Sequence, residues 1–228
     1  MGSRGEQQSC LNSRLTPGLK WTGIRSALAC NSRLLTGPDG GSRVNAYQAA
    51  GSFSRRRGFM TILETDRLVL RELSVEDAAF ILELVNEPSF LRFIGDKGVK
   101  TLEDARDYIL NGPVASYKRF GFGLYLAELK SGGAPIGMCG LLKRDSLDDV
   151  DIGFAFLPAF WGKGYAFESA SAVMDLGKSG FGLDRIVAIT SPDNHSSIRV
   201  LEKLGMKLER MVRLSEVSQE IKLFAPHP

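Results

Sequence analysis

The stretch Trp161-Gly162-Lys163-Gly164-Tyr165-Ala166 decides what this 228-residue chain can fold into. An apolar run typical of a buried strand, residues 152–157, precedes it, and a helical pattern follows it to about Lys178. The first amides of a helix have no partner within it, and the helix dipole adds partial positive charge there. The two glycines let backbone amides approach an anion closely, and Lys163 supplies a charge. The segment therefore indicates a phosphate site, although such glycines are as typical of a tight turn without a ligand.

A second motif supports the first. The glycine turn alone matches neither the dinucleotide fingerprint G-x-G-x-x-G nor the P-loop G-x-x-x-x-G-K-[ST]. Further along, the chain reads Asn194-His195-Ser196-Ser197-Ile198-Arg199-Val200-Leu201-Glu202-Lys203-Leu204-Gly205-Met206. Together the two motifs resemble those of the GNAT superfamily of N-acetyltransferases, in the branch similar to ribosomal-protein N-terminal acetyltransferases. The resemblance covers roughly residues 62–225.

The match to the family motifs has two departures. The first motif, Arg/Gln-x-x-Gly-x-Gly/Ala, is met by Gly164 and Ala166. The second, roughly Asn-x-x-Ala/Ser followed by Glu-Lys-x-Gly-Phe, is met by Asn194, Ser197, Glu202, Lys203 and Gly205. Trp161 stands where the general family has Arg or Gln, as it often does in the branch named above. Leu201 stands where many relatives place a tyrosine general acid, so that role must pass to another group.

The resemblance implies an enzyme that transfers an acetyl group from acetyl-CoA to a primary amine by direct attack in a ternary complex. The amine would belong to a small molecule or to a protein N-terminus. The implied acetyl-CoA-binding residues are Phe156, Leu157, Trp161, Gly162, Lys163, Gly164, Tyr165, Ala166, Asn194, Arg199 and Lys203. Arg199 and Lys203 lie four residues apart on one helical face, which suits CoA phosphates and equally suits a solvated charged face.

Asp151 is the candidate general base. In the pattern 150–157, Val150, Ile152, Phe154 and Phe156 form a bulky face, whereas the opposite face is small and begins with Asp151. The resemblance implies a slot for the acyl-pantetheine arm along this strand, with Asp151 taking a proton from the acceptor directly or through a water. Without a ligand, the same pattern describes an edge of core packing with a solvated aspartate.

A base is needed because the nucleophile is a neutral amine. Deprotonation at pH 7 costs an α-amino group about 1 kcal/mol and a lysine roughly 4.6 kcal/mol. Asn194 and Ser197 are the candidates for stabilising the oxyanion or the departing thiolate. Both residue types are equally at home in the first turn of a helix without any catalytic role.

Two alternatives from other classes remain open. A CoA-binding sensor or regulatory module without transferase activity would account for the leucine at position 201. A nucleotide-phosphate binder would account for the glycine turn alone. No metal site is expected, since the three cysteines (Cys10, Cys30 and Cys139) lack C-x-x-C spacing. Their odd number also argues against a disulfide framework and suits a reducing compartment.

The amino-acid composition limits the classes of partner that we expect for this chain. With 43% hydrophobic and 24% charged residues, the chain can form a core, and no run approaches the ~18 apolar residues of a membrane span. Residues 1–59 contain nine Lys/Arg and two Asp/Glu, whereas residues 60–228 contain 20 and 24. The acetyltransferase domain is therefore slightly acidic, which argues against nucleic-acid binding. We expect acetyl-CoA and an amine as ligands, no membrane association, and a monomer or homodimer.

Two domains are predicted: a basic extension over residues 1–59 and an N-acetyltransferase domain over residues 60–228. The extension has the Arg- and Ser-rich, acid-poor composition of an organellar presequence, with Leu19, Ile24 and Leu28 as a possible helical face. A start at Met60 and a disordered basic arm are the other interpretations. The expected location is cytoplasmic, or an organelle such as the mitochondrion if a presequence is present.

The remaining pattern predicts a mixed α/β fold, with a mostly antiparallel central sheet flanked by helices. Ser74 with Asp77, and Thr101 with Asp104, have the spacing of capping boxes that open helices to about Asn86 and toward Lys118. A short helical segment lies between Pro88 and Gly95, and Asn194 caps a helix ending near Gly205. The predicted strands are 68–73, 122–130, 135–142, 150–157, 186–190, 206–214 and 220–225.

Overall fold

The computed structural model describes residues 55–56, 59–215 and 219–227. Most of the predicted basic extension lies outside these residues. The strands are β1 (Arg55–Arg56), β2 (Phe59–Glu64), β3 (Leu68–Glu72), β4 (Leu124–Leu129), β5 (Pro135–Lys143), β6 (Val150–Phe156), β7 (Ile186–Thr190), β8 (Met206–Val212) and β9 (Ile221–Pro226). The α-helices are α1 (Ala78–Asn86), α2 (Pro88–Phe93), α3 (Leu102–Ile109), α4 (Ala115–Phe120), α5 (Tyr165–Phe181) and α6 (His195–Lys203).

The strands form one sheet in the order β1-β2-β3-β4-β5-β6-β7-β9-β8. All described neighbours are antiparallel except β6 and β7, and this confirms the predicted mixed, mostly antiparallel sheet flanked by helices. The parallel pairing consists of Val150 opposite Ile186 and Asp151 opposite Val187. Among the described residues no further pairs connect β6 with β7, whereas β5 pairs with β6 along its whole length.

Local sequence signals account for the helix starts. Ser74 and Asp77 form the predicted capping box before a single 3₁₀ turn and α1. Thr101 and Asp104 form the second box at the start of α3. The helical path then continues through a π-helical turn, residues 110–114, into α4, in agreement with the predicted helix toward Lys118. In each box, the side chains satisfy backbone amides that a helix leaves without partners.

The prediction that the sheet begins with residues 68–73 is wrong. Two strands, β1 and β2, precede β3 in the chain, and β2 pairs antiparallel with β3. β2 contains the segment Thr61-Ile62-Leu63-Glu64, which has no clear polar–apolar alternation. Its strand conformation therefore depends on pairing with β3 rather than on its own pattern.

Helices cover both faces of the sheet. The larger core cluster joins the strands to α5 and α6 through residues such as Val173, Met174 and Leu201. The second cluster joins the opposite face to α1, α2 and α3 through residues such as Ile81, Phe90 and Ile109. The bulky face of β6 belongs to the first cluster, and its small face, at Ala155, packs against the second. The two faces of β6 therefore pack against different helical layers, one containing α5 and α6 and the other containing α1, α2 and α3.

A buried ion-pair network holds the second layer to the sheet. Arg71 of β3, only 7% exposed, donates two hydrogen bonds to Asp77, at 2.9 Å and 2.7 Å. It also pairs with Glu128 of β4 at 2.8 Å. Asp77 Oδ2 accepts from the Ser74 amide at 2.9 Å as well, so one carboxylate serves both the capping box and the ion pair.

We expect Asp77→Asn to lower the free energy of unfolding by about 3 kcal/mol, because the buried Arg71 guanidinium then loses an anionic partner that accepts two of its hydrogen bonds. Urea denaturation measures the change. Glu103→Gln is the matched control, since it removes an exposed ion pair with Arg106 and should cost less than about 1 kcal/mol. Equal losses in the two variants would contradict the structural role of the buried network.

Candidate functional site

The glycine turn leads into α5 with its amides exposed to solvent. Gly162 and Gly164 have φ values of 73° and 85°, a left-handed conformation in which a side chain would be strained. Gly164 is the residue before the first turn of α5 and provides no side-chain cap. The Glu168 amide donates to the Gly164 carbonyl at 3.0 Å, and in the described part of the chain the amides of residues 162–167 have no partner. The turn thus presents a row of free donors at the positive end of α5.

A second element, the turn between β2 and β3, holds the glycine turn in place. The Glu168 carboxylate accepts from Thr65 Oγ1 at 2.5 Å, from the Arg67 amide at 2.9 Å and from Arg67 Nε at 2.7 Å. Arg67 also donates to the Lys163 carbonyl at 2.9 Å, and its guanidinium lies 4.5 Å from the centroid of the Tyr165 ring. We call these five residues the clamp.

The clamp fixes a carboxylate in its charged form beside the free amides. Burial raises the pKa of Glu168, but the hydrogen bonds from Thr65 and Arg67 outweigh burial, and the net pKa is lowered. Sequence reasoning missed this group because its members lie about a hundred positions apart. The only local signal was an acidic residue in the first turn of α5, which is favourable at any helix N-terminus.

A cavity of about 360 Å³ opens beside the turn, between the diverging strands β6 and β7 and the start of α6. The Trp161 indole borders it and donates to the Phe156 carbonyl at 2.7 Å. Nine of the predicted acetyl-CoA-binding residues line this cavity: Phe156, Trp161, Gly162, Gly164, Tyr165, Ala166, Asn194, Arg199 and Lys203. We call it the smaller cavity.

The other two predicted acetyl-CoA-binding residues lie outside the lining. Leu157 packs against the α1–α3 layer, and its amide donates to the Ile136 carbonyl. The Lys163 ammonium lies 5.4 Å from the centroid of the Phe160 ring, and its carbonyl is held by the clamp. Their assignment as ligands stays a prediction, as does that of the nine.

A larger cavity of about 610 Å³ lies on the other side of the strand gap and contains Asp151 in its wall. The two cavities share lining residues from β6, β7 and α2, namely Phe90, Phe93, Ile94, Phe154, Ala155, Ile189 and Thr190. The gap between β6 and β7 is therefore the place where a ligand in one cavity can meet a ligand in the other.

Asp151 is the buried carboxylate of this region, with 1% of its surface exposed. Its Oδ1 accepts from Arg144 Nε at 3.0 Å, whereas its Oδ2 has no hydrogen-bond partner among the described residues. Burial raises the pKa of Asp151, and the Arg144 guanidinium opposes this only in part. A buried carboxylate with a free oxygen and a raised pKa has the properties of a proton acceptor.

The predicted donors of α6 lie in the smaller cavity and not beside Asp151. Asn194 Oδ1 accepts from the Ser197 amide at 3.1 Å, so Asn194 is the helix cap. The Ser197 hydroxyl borders the same cavity, and no described residue hydrogen-bonds to it. Leu201 is buried in the core at 1% exposure, and its position offers the cavity no polar group.

Known proteins place the chain in a family. A family model described as an acetyltransferase (GNAT) domain matches residues 67–207, and the chain belongs to this family. Uncharacterized protein YkkB of Bacillus subtilis (strain 168) is 33% identical over 156 residues, 67% of this chain and 89% of that protein. The uncharacterized N-acetyltransferase YoaA of the same strain is 31% identical over 154 residues, 67% of this chain and 86% of that protein.

Solved structures agree with this assignment. An acetyltransferase from Agrobacterium tumefaciens str. C58 has a TM-score of 0.64 and 25% identity, covering 78% of this chain and all of that one. RimL, a ribosomal L7/L12 α-N-protein acetyltransferase in complex with coenzyme A, shares the fold at a TM-score of 0.63 and 19% identity, covering 72% and 96%. Among the described residues, no cluster of potential metal ligands occurs and no helix is long and apolar enough to cross a membrane.

We expect Glu168→Gln to raise the KM for acetyl-CoA about tenfold with a smaller change in kcat, because the variant weakens the clamp without touching the larger cavity. Steady-state kinetics and calorimetric titration with acetyl-CoA measure the effect. Lys130→Gln is the control, since it removes an exposed ion pair with Glu64 at the nearby sheet edge. Unchanged acetyl-CoA binding in Glu168→Gln would contradict the positioning role of the clamp.

We expect Asp151→Asn to lower kcat/KM by about 100-fold or more, the usual contribution of a general base. The same variant should not lose stability at neutral pH. Since the folded-state pKa of Asp151 is raised, ionisation opposes folding, and the stability of the parent protein falls as the pH rises through that pKa. The variant lacks this fall, which thermal unfolding at several pH values measures. A variant that is both inactive and unstable would show a structural role instead.

Proposed function

We propose that this protein transfers an acetyl group from acetyl-CoA to a primary amine by direct attack in a ternary complex. The observation that carries the proposal is the meeting of two cavities at the gap between β6 and β7. In the proposed complex, acetyl-CoA occupies the smaller cavity and the acceptor occupies the larger one. The family assignment supports acetyl-CoA as the donor.

Different parts of the smaller cavity suit different chemical groups of CoA. The free amides of the glycine turn, at the positive end of α5, suit the pyrophosphate. The edge of β6 beyond Asp151 has no partner strand, and apart from the Phe156 carbonyl, which accepts from Trp161, its backbone groups are available to the pantetheine amides. Arg199 and Lys203 border the cavity, are exposed and have no ion-pair partner in the described ranges, which suits further phosphate contacts.

Asp151 takes the proton that the amine must lose. Side chains on one face of a strand repeat about every 6.6 Å, so Gly153 lies about 7 Å and Ala155 about 13 Å along β6 from Asp151. Ala155 borders both cavities, whereas Asp151 borders only the larger one. A water between Asp151 and the amine therefore fits the spacing better than direct contact.

The chemical step balances without a covalent enzyme intermediate. The amine nitrogen attacks the thioester carbonyl carbon, a C–N bond forms, and the C–S bond breaks with its electron pair on sulfur. Asp151, through water, receives one amine proton, and the thiolate leaves as CoA after protonation. Ser197 and Asn194 are the candidates for stabilising the oxyanion or the thiolate, since the Asn194 side-chain oxygen caps α6 while its NH2 group can still donate.

An acyl-enzyme on cysteine is disfavoured by the position of Cys139. This residue, the one cysteine in the described part of the chain, is fully buried in the core cluster against α5 and borders neither cavity. Burial raises the pKa of its thiol to about 12, which removes the thiolate that a nucleophile requires.

We expect the full chain to release free thiol from acetyl-CoA when a pool of small amines or of peptides with free N-termini is added. Release above the slow background hydrolysis, with the matching acetylated amine identified by mass spectrometry, supports the proposal. If calorimetry shows acetyl-CoA binding but neither pool stimulates release, the protein is a CoA-binding sensor module. Tighter binding of ATP than of CoA would overturn both.

A further inference from the structure

The larger cavity contains cationic groups for which acetyl transfer as such has no need. Arg92, Lys97 and Arg144 border it, and Asp151 is the only acidic residue in its described lining. Arg92 is neutralised by Asp193 at 2.9 Å. Lys97 has no ion-pair partner among the described residues, and burial together with the nearby Arg144 guanidinium lowers the pKa of its ammonium. A cavity meant only for an amine would gain nothing from these cations, since they repel an approaching ammonium.

Arg144 donates to one carboxylate oxygen of Asp151, and the other oxygen has no hydrogen-bond partner among the described residues. It donates Nε to Asp151 Oδ1, and its two terminal nitrogens have no acceptor in the described ranges, with the side chain 34% exposed. A guanidinium with a free fork binds a carboxylate through two parallel hydrogen bonds. The adjoining Oδ2 of Asp151, which has no partner among the described residues, can accept from a water that contacts an amine. The pair therefore presents a positive and a negative end side by side.

A molecule with an amine and a carboxylate on one carbon has the complementary arrangement. In the proposed complex its carboxylate lies against the Arg144 fork, in the cavity that Lys97 also borders, and its amine hydrogen-bonds a water held by the free oxygen of Asp151. The same orientation directs the amine toward the β6–β7 gap, where the two cavities share Ala155 and Thr190. Opposite charges that are paired in this way offset the free-energy cost of removing each charged group from water.

Much of the remaining wall is apolar and suits the remainder of the acceptor. Apolar side chains that line it include Phe90, Phe93, Ile94, Leu142, Leu214 and Ile221, beside a few polar residues such as Tyr108 and Gln219. The apolar side chains cannot hydrogen-bond a polar substituent, so they favour a hydrocarbon or aromatic group.

We propose that the acceptor is a free α-amino acid with an apolar side chain, bound through its carboxylate by Arg144 and Lys97 while Asp151 receives the amine proton through a water. This proposal rests on the proposed function. It separates the two acceptor classes, because a protein N-terminus has its first carboxyl group in a peptide bond and offers the guanidinium no charge.

The test compares L-phenylalanine with L-phenylalaninamide, phenethylamine and the peptide Phe-Gly-Gly as acceptors for the full chain, and L-leucine with its corresponding derivatives. We expect kcat/KM for the free amino acid to exceed that of each analogue without a free α-carboxylate by about tenfold or more, the usual effect of a charge-assisted hydrogen bond. The amide has the more reactive amine at neutral pH, so the expected order runs against intrinsic reactivity.

Lys97→Met should reduce the ratio of kcat/KM for phenylalanine over phenethylamine about tenfold. Lys100→Met is the matched control, because Lys100 is paired with Asp96 outside the cavity and its loss should leave the ratio unchanged. A preference for the amide, the amine or the peptide would overturn this proposal and leave acetyl transfer intact. Acetyl-CoA binding without thiol release for any acceptor would overturn the proposed function as well.

Discussion

The end of the parallel pairing between β6 and β7 is the constraint on which the site depends. The two strands pair at Val150 with Ile186 and at Asp151 with Val187, and then diverge, while β5 continues to hold β6 along its full length. A strand paired on one side only is rigid yet has a free row of backbone donors and acceptors on the other. Both cavities open at this gap. Asp151 lies where the gap begins, because it is the last residue of β6 that pairs with β7.

The second requirement is an anion site that keeps its shape when empty. Free amides at a helix N-terminus repel one another and attract solvent, and a glycine turn is flexible by itself. The clamp meets this requirement from outside the turn: Arg67 holds the Lys163 carbonyl and Glu168, and Thr65 completes the carboxylate's contacts. In this way, the β2–β3 turn, remote in sequence, contributes to the geometry of the glycine turn.

Charge is distributed unevenly between the two cavities. Arg199 and Lys203 border the smaller cavity, are exposed and have no ion-pair partner among the described residues, so they suit flexible phosphates. In the larger cavity, Arg144 pairs with the buried carboxylate of Asp151, and the proposals above assign substrate binding to Arg144 and the role of base to Asp151. Burial raises the pKa of Asp151, and the Arg144 guanidinium opposes this rise in part.

The sequence by itself determined the helix starts, the strand containing Asp151, the glycine turn and the family, because capping boxes, residue alternation and short motifs are local patterns. The capping boxes at Ser74 and Thr101 formed as their spacing required. Only the tertiary structure decided the strand β2, the clamp, the Arg144–Asp151 pair and the junction of two cavities at Ala155. Each of these joins residues that are brought together by sheet order and helix packing. No periodicity in the chain records such contacts, since a surface arginine and a ligand-binding arginine have the same local pattern and differ only in what the fold places opposite them.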